Sequence, residues 1–289
     1  MRITPDRMVG VLGAAPKPAT VWQEQFDYCN EVLVKLAQTD WEQVPDEYLG
    51  YYFLDLAFTD LQPDLFRHAF PACLKFWYRT LMSGDSASRA YCDFHYALMK
   101  GQILEKMLSP QERQSLLEFF RDGFLDRIEA ESDFTRDRGK KANAWIFRFD
   151  ALGTAVPVIP HIWESWWALD HPGKAVSAVM YGSGLVYLPG ENPIFGAWTE
   201  DYGPGGPYLG WGTGNECWRD DNVTFLREAL SARYVVQKMD QAARALAGSP
   251  DAELASQVAK DAKTRTGIIE MRIGDLLERL SRGRTNVGI

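Results

Sequence analysis

Between Gly182 and Gly214, ten of 33 residues are glycine, and Pro189, Pro193, Pro204 and Pro207 stand among them. A helix interior loses about 1 kcal/mol per glycine and about 3 kcal/mol per proline relative to alanine. This stretch therefore predicts turns and ordered loop rather than helix. It is rich in aromatic surface that could order it, since six of the ten tryptophans fall between Trp163 and Trp218. Short strands are expected at 144–149 and 184–188. Elsewhere the apolar period is helical, so the chain reads as mainly α in three parts. These are an N-terminal helical domain over 1–135, a Gly/Trp-rich irregular insert with a few short strands over 136–221, and a C-terminal antiparallel helical hairpin over 222–289.

The helical part has explicit start and stop signals. Thr20-Val-Trp-Gln23 is a capping box, followed by Trp22, Phe26, Cys29, Leu33 and Leu36 at spacings of three and four, which predicts a helix to about 38. Pro45 opens an aromatic-dense helix over 46–58, containing Tyr48, Tyr51, Tyr52, Phe53 and Phe58. Pro63 opens the next, to about 82, and Pro71 within it should kink or break it. Residues 86–107 read as one helix. Ser109-Pro110-Gln-Glu112 is the clearest start of all, with N-cap, proline at N1 and glutamate at N3, opening a helix to about 131. Asn222 or Thr224 should cap a helix running through Leu246, and Ser249-Pro250-Asp251 a last long one to about 282.

Leu61-Gln-Pro63-Asp-Leu-Phe66-Arg67, then Phe70-Pro71-Ala72 and Leu108-Ser-Pro110-Gln-Glu-Arg113, make residues 56–120 resemble an uncharacterised bacterial helical family, a domain of unknown function. The resemblance implies an all-helical N-terminal domain and transfers no catalytic residue.

The net charge is −8 and unevenly spread. Residues 1–135 carry 13 Lys+Arg against 21 Asp+Glu, and residues 161–221 carry two against eight. Such a field repels phosphate backbones and steers basic proteins, so nucleic acid is an unsuitable partner. No apolar run is long enough to span a membrane. Met1-Arg-Ile-Thr-Pro-Asp6 lacks an apolar signal core, so a cytosolic location is expected. Cys29, Cys73, Cys92 and Cys217 form no CxxC pair and read as reduced core thiols.

Four chemistries can be tested on the residues. Tyr181-Gly-Ser-Gly-Leu185 resembles a nucleophile elbow, but the outer positions are Tyr181 and Leu185 rather than glycine, so the motif fails. His161-Ile-Trp-Glu164, Asp220-Asp221 with Glu228, and Asp93 near His95 are metal-site fragments without a completing ligand set, so no metal is expected. Gly203-Pro-Gly-Gly-Pro207 and Gly210-Trp-Gly-Thr-Gly214 match no phosphate cradle, and no cofactor is implied. Aromatic recognition fits best. Trp163, Trp166 and Trp167 either belong to such a surface or build a second core. The expected partner-binding set is Trp198, Glu200, Asp201, Tyr202, Tyr208, Trp211, Glu216, Trp218, Asp220 and Asp221, aromatic anchors with an acidic rim. The expected function is a cytosolic binding protein, most specifically an immunity protein neutralising a basic bacterial toxin. The alternative is a hydrolase-like enzyme with its pocket under the Gly/Trp-rich loops, using a carboxylate pair such as Glu164 with Asp201.

Overall fold

The computed structural model describes residues 10, 12, 16–21, 30–58, 60–83, 89–134, 136–188, 190–195 and 217–282. Among these the secondary structure is helical. The helices are α1 (Asn30–Gln38), α2 (Asp46–Phe58), α3 (Pro63–Ser83), α4 (Arg89–Lys100), α5 (Ile103–Lys106), α6 (Pro110–Glu129), α7 (Arg136–Ala155), α8 (Ile159–Trp166), α9 (Pro172–Val186), α10 (Asp220–Ala229), α11 (Ala232–Ala245), α12 (Ala252–Thr264) and α13 (Thr266–Arg282). The chain divides into two compact units, Met1–Gly123 and Phe124–Ile289, with the boundary inside α6. Residues 136–188 and 217–282 share the second unit.

The first unit is built on α2, α3 and α4. Leu49, Phe53 and Leu56 of α2 pack with Phe66, Phe70 and Trp77 of α3 and Phe94 and Leu98 of α4, all buried. The Phe53 and Phe94 rings lie 5.2 Å apart, and Trp77 meets Phe120 edge-on at 4.8 Å. Pro71 does not break α3, which runs unbroken from Pro63 to Ser83. The amide it lacks forfeits one ladder bond, and burial of Leu65, Phe66, Phe70, Leu74 and Trp77 on either side outweighs that loss. The capping box at α6 forms as the sequence predicts: the Ser109 N–H donates to Glu112 Oε2 (2.8 Å) and the Glu112 N–H to Ser109 Oγ (3.3 Å). Of the box predicted at Thr20–Gln23, Thr20 and Val21 are described, while Trp22 and Gln23, with Cys29, lie outside the described residues.

The single helix expected over 86–107 is instead α4 and α5, parted at Gly101-Gln102, where Gln102 has φ +52°. A Cβ on Gly101 would lie 2.0 Å from the Leu56 carbonyl oxygen, so the chain turns where it touches the end of α2.

The second unit is organised around α9, which is buried at every position from Gly173 to Val186. A helix apolar on all sides belongs in the middle of a core, and α7, α11, α12 and α13 surround it. This overturns both expected strands, since 144–149 lies in α7 and 184–188 begins in the last turns of α9; no strand occurs among the described residues. The glycines and alanines of α9 are not loop signals. They let neighbouring helices approach, as at Gly182, where a Cβ would sit 2.5 Å from the Met239 methyl carbon. In α7, Trp145, Ile146, Phe149 and Leu152 follow the helical period that a shorter window reads as alternation.

The C-terminal region also has more breaks than expected. The helix predicted from 222 to 246 is α10 and α11, because Ser231 Oγ accepts the Tyr234 N–H (3.1 Å) and starts a new helix. The last helix is parted at Arg265 into α12 and α13. Asn222 is no exposed cap: its buried Nδ2 donates to the Gly153 and Val156 carbonyls (2.9 and 2.8 Å) and closes the end of α7. α11 and α12 pack against each other across the connection 246–251, the hairpin element of the sequence reading.

Candidate functional site

Of the expected partner-binding set, Trp198, Glu200, Asp201, Tyr202, Tyr208, Trp211 and Glu216 lie outside the described residues. The other three are placed. Trp218 is buried, its Nε1 donating to Asp150 Oδ1 (2.7 Å) and its amide to the Leu280 carbonyl (2.9 Å). It is a core residue tying the chain before α10 to α7 and α13. Asp220 and Asp221 are exposed in the first turn of α10, where the helix dipole favours a carboxylate. Asp221 Oδ1 also accepts the Asn222 N–H (2.9 Å) and pairs with Arg219 (3.5 Å).

Trp163, Trp166 and Trp167 build the second core rather than a surface. Trp163 stacks on Trp167 at 4.9 Å, and Trp166 meets Tyr181 edge-on at 5.2 Å and Trp145 at 5.3 Å. Two of the three indole N–H groups find internal partners: Trp163 Nε1 donates to Tyr234 Oη (3.1 Å) and Trp166 Nε1 to the Lys174 carbonyl (3.2 Å), whereas the buried Trp167 Nε1 has none. Burial pushes the Tyr234 phenol up to about 12 and the Tyr181 phenol further up still, so both stay neutral and uncharged in the core. Lys238 Nζ lies 5.7 Å from the Tyr234 ring centroid and donates to the Trp167 carbonyl at the end of α8 (2.6 Å).

The enzyme-like fragments fare similarly. Ser183 is fully buried within α9, donating to the Met180 carbonyl (2.8 Å) and accepting from Asn192 Nδ2 (2.9 Å). His161 and Glu164 are exposed on α8, and Asp201, the other half of the carboxylate pair, is outside the described residues. His95 Nε2 accepts from Trp77 Nε1 (3.2 Å) inside the first unit. No group of three or more His, Cys, Asp or Glu among the described residues could hold a metal ion. Cys73 is a buried thiol that burial pushes well up, whereas Cys217 is exposed and not the core thiol the sequence suggests.

The surface that most resembles an interface is on α2. Residues turn 100° apart along a helix, which puts Glu47, Gly50, Tyr51, Leu54 and Phe58 on one face. That is the outward face: Tyr51 and Phe58 are 37% and 42% exposed, Leu54 is half-buried, and Glu47 is exposed. The opposite face, Leu49, Tyr52, Phe53 and Leu56, is in the core. An amphipathic helix normally turns polar groups outward, but α2 is apolar on both sides. Phe58 also contacts Tyr96 of α4, at a centroid distance of 5.9 Å, which extends the aromatic surface.

The chain that carries α2 is rich in acids. Between Lys35 and Arg67 the chain carries seven carboxylates and no basic residue: Asp40, Glu42, Asp46, Glu47, Asp55, Asp60 and Asp64. Lys17 answers Asp40 (2.8 Å), a hydrogen bond that holds the carboxyl below its usual range, and Arg79 answers Asp46. Asp55 is buried near the Tyr52 phenol, which burial first, and then Cys73 and Asp55, push well up. Glu47 stands on the outward face itself, and Asp60 lies just past its far end. The sequence held this signal, an aromatic helix inside an acid-only run. It was obscured because aromatic residues at helical spacing are usually core.

No protein-family model matches the chain, and neither a curated protein nor a solved structure matches it.

Proposed function

We propose that the chain is a cytosolic binding protein whose partner is a basic protein, most specifically an immunity protein that neutralises a basic bacterial toxin. One observation carries the reading: a helix with exposed aromatic side chains on its outward face, inside a run of seven carboxylates without a basic residue. Aromatic anchors with an acidic rim are the composition of a protein-binding surface, and the acids would speed encounter with a cationic partner towards ~10⁸ M⁻¹s⁻¹ at low salt. The exposed Asp220 and Asp221 support a second acidic edge in the other unit. No helix of the described residues is long and apolar enough to cross a membrane, which fits this reading.

The test is affinity capture from the source cell with the full chain as bait, at low and at high salt. The reading expects one basic protein retained at low salt and released by high salt. Retention of neutral or acidic proteins alone, or of none, overturns it.

A further inference from the structure

We draw no further inference here: the strongest candidate, the outward face of α2 around Tyr51, Leu54 and Phe58, belongs to the surface already described, and nothing in the structure shows which element of a partner covers it.

Discussion

Among the helical glycines of the second unit for which contacts are described, Gly173 lies nearest another element's backbone, and replacing it tests whether α9 occupies the centre of that unit. A Cβ at this position would lie 2.2 Å from the Glu129 carbonyl oxygen, 2.6 Å from its carbon and 2.8 Å from its Cα. These are backbone atoms at the end of α6, so no side-chain rotation relieves the overlap. Alanine improves helix propensity by at most about 1 kcal/mol, while overpacking a core typically costs about 1–3 kcal/mol or more. The backbone overlap places Gly173→Ala at the upper end, a net loss of about 2 kcal/mol. The shift would also disturb neighbours held to the same contact: Ser177 Oγ donates to the Ile128 carbonyl (3.0 Å), and Lys174 pairs with Asp170 (2.6 Å) and Glu129 (3.5 Å). Gly267→Ala is the matched control, in α13 with open space around it, and should stabilise by up to about 1 kcal/mol. Urea melts followed by tryptophan fluorescence read both, because Trp145, Trp163, Trp166 and Trp167 all lie in this unit. If Gly173→Ala melts with or above wild type, α9 does not abut α6 at Glu129, and the central-helix account fails.

Ser109→Ala should cost about 1 kcal/mol, because it removes one half of the capping box at α6; coincident urea midpoints would show that the cap contributes nothing. Burial raises the Glu112 carboxyl, but hydrogen bonds from Arg67 and Ser109 outweigh it and hold the group below its usual range. The stability it adds is present above the unfolded carboxyl range and lost as pH falls through the lower folded value, so Glu112→Gln should melt lower at neutral pH and converge with wild type in acid. Asp251 has the opposite sign: burial, and the charge of Asp133, raise its carboxyl despite the Phe134 N–H it accepts (3.1 Å). Its favourable contribution is lost as pH rises through the raised folded value, so Asp251→Asn should melt higher at neutral pH, with the gap closing in acid; a lower melting temperature at neutral pH would contradict this.

The helices with chemical start signals were legible in the sequence. Ser109-Pro110-Gln-Glu112 names its own N-cap, and Pro45 and Pro63 mark the openings of α2 and α3. The misread elements share one cause, a local propensity overridden by packing. α9 holds Gly173 and Gly182 because its neighbours press close, a fact about Glu129 and Met239 that lies far away in sequence. The break at Gly101-Gln102 is likewise set by what the helix meets, the Leu56 carbonyl, rather than by its own period. Ser231, a serine three residues before Tyr234, is a readable cap signal that the apolar period continuing across it masks. For the candidate site, a sequence pattern cannot tell an aromatic that faces inward from one that faces outward on a helix apolar all round. Trp163, Trp166 and Trp167 turned inward, and Tyr51 and Phe58 outward.

Hydroxyl-radical footprinting of the chain, alone and bound to the basic protein captured from cells, tests the central claim most directly. Free, Tyr51, Phe58 and Met271 should all be oxidised, since they are among the exposed large apolar side chains. Bound, Tyr51 and Phe58 should be protected, and Met271, 49% exposed on α13, should stay reactive as the internal control. Unchanged oxidation of Tyr51 and Phe58 in a saturated complex would contradict the account and place the partner on another surface.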